Sequence, residues 1–501
     1  MDKLDLLVTG GILVTASDTA PLDIGIRDGK IALLAPPGLL SPSIATKHID
    51  AGGAYITPGG VDTHVHLEEP PLFGGRGRSS DTFETGTRSA ICGGTTTVVA
   101  FAPQAKSMPS LLEVLRDCHD RARGNCYSDY GFHMLVGNPS PAVLKEFGPL
   151  INEEGVSSLK IYMTYEALQL RDDEILDVLC ESRGHGITTM IHAENGDVLN
   201  WMTRKLEERG LVDPVYHATS RPQIVETEAT GRAVALAELV DAPMLIVHVS
   251  SPRAAAVIRE AQTRGLPLYA ETCPQYLFLT RADMAHPGDN GFEGAKCVCS
   301  PPPRDGPEDH DGIWLGLQNG TFTVLSSDHC PFMYNDTEKG KKSIISEKYP
   351  RGHFKGIPNG IPGIETRLSL VMSEARITMQ KFVEVTSANP AKLYGLYPRK
   401  GALLPGVSDA DLVIWYPEGQ LSGAEGLTLT NEMLHHNVDY TPFEGRKLKN
   451  WPRYTILRGE VVWDRDGDGL VGKKGYGEFL KRGKSSLPGP RKAGEFDISQ
   501  F

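Results

Sequence analysis

The chain has 501 residues, too long for one ordinary small domain and long enough for a large barrel with an accessory module. Hydrophobic residues at 40% and charged residues at 23% exclude disordered, collagen-like and membrane compositions. With 51 basic against 63 acidic side chains, a net charge of -12 and no long basic block, a nucleic-acid partner is not expected.

In chain order, the opening MDKLDLLVTGGILVT lacks the basic-then-apolar layout of a signal peptide, and no apolar run reaches bilayer length. A cytoplasmic protein with no membrane partner is therefore expected. Residues 1–55 contain short β-like runs, LLVTGGILVT and IGIRDGKIALLA, broken by Gly, Asp and Pro. Residues 402–470 have the same character in DADLVIWYP and YTILRGEVVWDRDG, so the two ends are expected to build one small β-sandwich.

Between them, residues 56–401 are expected to form the barrel domain, and from about residue 56 to 328 the chain repeats one unit, a short β-rich run followed by a longer amphipathic stretch. The expected strands are GVDTHV, TTTVVAF from Thr95, YGFHMLV from Tyr130, SLKIYM from Ser158, ITTMIHA from Ile187, PMLIVHV from Pro243, PLYAETC from Pro267 and TFTVLSS from Thr321. Stretches such as SLLEVLRDCHDRAR, DEILDVLCESRG and RAAAVIREAQTRG carry helical apolar spacing, two of them ending at glycine. Eight strands alternating with helices predict an α/β fold, a TIM-like (β/α)8 barrel. Residues 333–356 are polar, lysine-rich and aperiodic, and read as a long surface loop near the barrel mouth. The tail, residues 471–501, reads as flexible or packed on a neighbouring subunit. The eight cysteines are scattered without the spacing of a disulfide framework or a zinc knuckle, and read as free thiols.

The chemistry concentrates at the strand ends. His64 and His66 lie two apart on the first strand, so both imidazoles face one side, a placement that suits a metal. Taken alone, H-x-H is equally compatible with two packed or solvated histidines. Strand four then adds Lys160, strand five His192, strand six His248 and strand eight Asp328, and C-terminal strand ends converge in this fold. Those ligand types match zinc-like coordination. Lys160 admits two readings: an ordinary ion pair with an acid at the rim, or a buried amine whose lowered pKa lets it react with carbon dioxide to give a carbamate. Asp328 combines a ligand position with that of an acid/base group able to carry a proton to a leaving nitrogen.

HVHLEEP, SLKIYMTY, HAEN, HVSS, CSPPPR, SDHCPF and NGIPGIETR stand in the order found in dihydropyrimidinases and D-hydantoinases. From about Gly59 to Arg367, and in the β-rich ends, the chain resembles this family of cyclic amidohydrolases within the amidohydrolase superfamily. The resemblance implies two divalent metal ions, usually zinc, with His64, His66 and Asp328 on one, His192 and His248 on the other, and carboxylated Lys160 bridging them. It implies that Tyr165 donates to the developing oxyanion, and that the backbone at Ser300 and Asn359 holds the ring edge. The implied reaction is ring opening by a bridging hydroxide. Its substrates would be 5,6-dihydrouracil and dihydrothymine, giving N-carbamoyl-β-amino acids, or hydantoins, giving N-carbamoyl amino acids. By the same resemblance a homotetramer is expected.

Allantoinase and cyclic-imide hydrolase are the near alternatives. Dihydroorotase would call for an arginine directly after H-x-H-L, where this chain has Glu68. A non-catalytic dihydropyrimidinase-related assembly protein would lack metal ligands, whereas every ligand position is filled here.

Overall fold

The architecture is taken from a computed structural model describing residues 3–70, 79–421, 426–494 and 496–500. Eight parallel strands form one sheet in sequential order: β1 (Gly60–Val65), β2 (Thr95–Pro103), β3 (Asp129–Leu135), β4 (Ser158–Tyr162), β5 (Thr188–His192), β6 (Met244–Ile246), β7 (Leu268–Thr272) and β8 (Val324–Leu325). The sheet closes beyond β8, where Val65 bridges to His329 and the His66 amide donates to the His329 carbonyl at 2.8 Å. Every residue of β2 is buried, as expected for a Thr/Val-rich strand covered on both faces.

The helices form where the sequence places their caps. Ser110 caps Leu111–Ala122 through the Glu113 amide, and Ser251 caps Pro252–Thr263 through the Ala254 amide. Helix Asp172–His185 ends at Gly186, whose φ of 73° is the left-handed stop that glycine tolerates best. Strands six and eight are shorter than expected. The chain leaves regular pairing at Val247 and Ser326, each of which still donates one hydrogen bond to the neighbouring strand, and the residues beyond turn toward the mouth.

Strands from both ends of the chain share one seven-stranded sheet. Tyr55–Pro58 pairs with Leu412–Trp415, which pairs in turn with Pro452–Leu457. A four-stranded sheet built from Leu4–Thr9, Asp23–Arg27, Lys30–Ala35 and Ala45–Asp50 packs with it around Leu6, Ile24, Ile56, Leu412 and Ile456. The buried Lys400 joins this module to the barrel. Its ammonium meets Asp129, at the start of β3, at 2.6 Å, Asp411 at 2.7 Å and Asp409 at 3.0 Å.

The tail packs on this chain's own barrel. Phe479 bridges to Tyr130, Leu480 is buried, the Arg482 guanidinium donates to the Phe132 carbonyl, and Arg183 holds the carbonyls of Lys492 and Gly494. The 333–356 stretch lies at the mouth as expected, yet it is not all surface, because Lys341 is fully buried. All eight cysteines are free thiols. Among the described residues no helix is long and apolar enough to cross a membrane.

Candidate active site

One cavity of about 840 Å³ opens at the C-terminal end of the barrel. Its lining includes His64, His66, Lys160, Tyr165, His192, His248, Ser300, Asp328 and Asn359, so the structure brings every residue singled out from the sequence to one place. Three of them occupy backbone positions that side chains rarely adopt: φ is 68° at Tyr165, 38° at His248 and 49° at Asp328. Strain of this kind costs about 1–3 kcal/mol per residue and concentrates at functional sites, where the surrounding fold enforces it.

His64, His66 and Asp328 present ligand atoms within 4.8 Å of one another. The Asp328 carboxylate lies 3.1 Å from His64 Nε2 and 3.5 Å from His66 Nε2. On the far side of each ring, His64 Nδ1 is 2.6 Å from Glu271 and His66 Nδ1 is 2.8 Å from Glu69. Those acids draw the ring protons to Nδ1 and leave both Nε2 lone pairs aimed at Asp328. Lone pairs facing a carboxylate repel it unless a proton, as on His66, or a metal cation stands between them, so the donor set fits a metal ion. The His66 environment says the same. Burial would lower its pKa, but Glu69 and Asp328 outweigh burial and hold it up at about 9. Positive charge is favoured at this point. His64 goes the other way, held well below its usual value first by burial and then by Lys160.

Beside this group, His192 Nδ1 faces His248 Nε2 at 2.9 Å, while His192 Nε2 meets Glu194 at 2.8 Å. Two imidazole nitrogens turned toward one point form a second place able to hold a cation. The buried Lys160 lies between the two groups, its Nζ 3.4 Å from His64 Nε2 and above the rings of Phe101 and Tyr162. Among the described residues it forms no ion pair with a carboxylate. Burial lowers its pKa to about 8, which raises the neutral fraction near neutral pH far above that of an ordinary lysine.

Tyr165 stands on the other wall. Burial pushes its hydroxyl up to about 12, so it remains a protonated donor, in hydrogen-bond reach of Arg221 and Ser300. Arg221 also ion-pairs with Glu194, giving a continuous run His192–Glu194–Arg221–Tyr165. Ser300 Oγ turns to His217 Nε2 at 3.3 Å, and His217 meets the Cys299 carbonyl at 2.9 Å. The Asn359 carbonyl accepts from the Cys330 thiol, and its Oδ1 is buried with no partner among the described residues.

Glu69, Glu194, Arg221 and Glu271 were not reached by the sequence reading. HLEE and HAEN held a signal, an acid two or three residues beyond a histidine; Glu271, distant in sequence from His64, offered none. A further group, Cys92, Glu365 and His435, lies apart from the cavity. Its carboxylate is already engaged by Ser89 and by the amide and ring of His435, so hydrogen bonding accounts for it.

The model of the amidohydrolase family matches residues 55–462. The chain belongs to this amidohydrolase family. It is 40% identical over 485 residues to a D-hydantoinase of Ralstonia pickettii, covering 96% of this chain and 99% of that protein. To a D-hydantoinase of Streptomyces coelicolor it is 42% identical over 484 residues, covering 95% and 97%. Among solved structures, the dihydropyrimidinase from Brevibacillus agri NCHU1002 superposes with a TM-score of 0.88 at 39% identity, covering 96% of this amidohydrolase and 99% of that chain.

Proposed function

We propose that this amidohydrolase opens cyclic ureides by hydrolysis of a ring C–N bond, acting on hydantoins with a 5-substituent and on dihydropyrimidines. The observation that carries the reading is the convergence of His64, His66, Lys160, His192, His248 and Asp328 in one cavity with Tyr165, Ser300 and Asn359. Full-length similarity to proteins named D-hydantoinase and dihydropyrimidinase supports the ring class. At about 840 Å³ the cavity is of a size that takes drug-sized ligands, so it leaves room beside a single ring for a substituent.

In this reading His64, His66 and Asp328 hold one divalent ion, His192 and His248 a second, and Lys160, carboxylated by carbon dioxide, contributes to both, with zinc as the metal. Bound divalent metal lowers the pKa of water toward neutrality and polarises a carbonyl. The chain's own groups do the rest. Asp328 takes the proton of the attacking water and returns it to the departing ring nitrogen. Tyr165 donates to the carbonyl oxygen as negative charge develops there. The backbone at Ser300 and Asn359 holds the amide edge of the ring, while Glu69, Glu194 and Glu271 fix the tautomers of their histidines. A homotetramer, implied by the family resemblance, is part of the same proposal.

The test is ring opening by zinc-loaded protein expressed with bicarbonate, on dihydrouracil, hydantoin, a bulky 5-substituted hydantoin, succinimide, allantoin and dihydroorotate. Turnover of the hydantoins and dihydrouracil is expected. Preference for allantoin or succinimide would move the protein to a sister specificity. No turnover of any ring, with metal confirmed bound, would overturn the proposal.

A further inference from the structure

Lys341 belongs to the lysine-rich stretch at the barrel mouth, yet its side chain is fully buried. Its Nζ donates to the Pro358 carbonyl at 3.0 Å and to the Val298 carbonyl at 3.2 Å. Its own amide, bonded to the Met333 carbonyl at 2.8 Å, anchors it. No carboxylate pairs with it among the described residues; after burial, the groups that act on it most are the thiols of Cys299, Cys297 and Cys330. An ammonium buried against neutral groups is expensive to keep, so what it holds is informative.

It holds two walls of the cavity together. Val298 leads into Cys299 and Ser300, Pro358 leads into Asn359, and all of those but Val298 line the cavity. The Val298 carbonyl also accepts from the Gly360 amide at 3.1 Å, so the 298–300 segment is tied to the 358–360 segment directly through Gly360 and a second time through Lys341. There is an electronic consequence too. The Pro358 carbonyl and the Asn359 N–H belong to the same peptide unit, and a cation on the oxygen makes that N–H a stronger donor.

We propose that Lys341 is a positioning residue for substrate: its buried ammonium fixes the spacing of the two backbone segments that grip the ring, and sharpens the Asn359 N–H as a donor to the ring carbonyl. This rests on the reading that Ser300 and Asn359 hold a cyclic ureide. Lys341 acts on binding and does not touch the reacting centre.

Wild type, Lys341→Met and Lys341→Gln are compared as zinc-loaded enzymes on the best ring of the panel, with metal content and melting temperature recorded. Removing the charge-assisted hydrogen bonds in Lys341→Met is expected to raise KM about tenfold or more, with kcat changed less than about threefold and metal content unchanged. Lys341→Gln, which keeps an N–H donor for one carbonyl, should recover part of the loss. It also carries the test if the Met variant does not fold. An unchanged KM, a loss confined to kcat, or a parallel loss of metal would each overturn the proposal. If wild type opens no ring, the functional reading has failed, and the clamp is then judged by crystal structures of wild type and variant. Val298 and Pro358 should move apart in the variant; unchanged spacing sinks it.

Discussion

Glu271 Oε1 accepts from the ring of His64 at 2.6 Å and from the amide of His248 at 3.1 Å, so one buried carboxylate sets the geometry of a histidine in each of the two candidate metal groups. Burial raises the Glu271 pKa to about 8, and replacing Glu271 with Gln keeps the shape while removing the carboxyl that partners His64 Nδ1. Metal affinity should fall about ten- to a hundredfold, as is usual when a ligand's orienting partner is lost. A chelator titration followed by metal analysis measures this, and wild-type affinity would remove Glu271 from the role.

Lys160→Ala should lose most of the bound metal even when expressed with bicarbonate, because Lys160 Nζ lies 3.4 Å from His64 Nε2 and its carbamate would supply an oxygen ligand to each ion. Elemental analysis of the purified variant is the check. Full metal content with normal turnover would eliminate the carbamate.

Tyr165→Phe should retain its metal and slow kcat by roughly a hundredfold or more, the usual cost of one lost oxyanion donor. Steady-state kinetics on one hydantoin suffice, and an unaltered kcat would take Tyr165 out of the mechanism.

Lys400→Met removes the buried ammonium that touches Asp129, Asp409 and Asp411 at once, and should cost about 3–5 kcal/mol of stability. The pH dependence has a definite sign. Burial already raises the Asp411 pKa against the pull of Lys400. An acid whose folded pKa is raised weighs against folding at high pH and is relieved as pH falls toward that pKa. In the variant this pKa rises further, so melting temperature should increase as pH is lowered from about 7.5 to about 5.5, still above the ordinary carboxylate range. A flat or falling profile would contradict this account.

The parts legible in the sequence are those with a local pattern. His64 and His66 show themselves by the two-residue period of a strand, and the eight strands by alternation with capped amphipathic helices. Lys160 stands out as a charge inside an otherwise apolar run. Glu271 does not, because nothing in PLYAETC tells a buried orienting acid from an exposed one. Lys341 is hidden for the opposite reason, since a lysine among lysines in a polar stretch reads as solvated, and only the folded chain shows carbonyls closing on it. Strands β6 and β8 are shorter than their sequence suggests because Val247, His248, Ser326 and Ser327 continue the β-rich composition after regular pairing has stopped. The packing of residues 473–494 depends on contacts with Tyr130, Arg183 and Asp241, remote in sequence, that no local pattern encodes.

The junction where His329 meets Val65 and His66 has one more consequence. His64 and His66 come from the first strand and Asp328 from just past the last, so their common focus exists only once the ring of strands has met end to end. An ion captured there would act as a clasp across that seam, and its uptake during refolding would report the final step of assembly. His192 ends β5 and His248 lies just past the adjacent β6, so they need no such closure to come together.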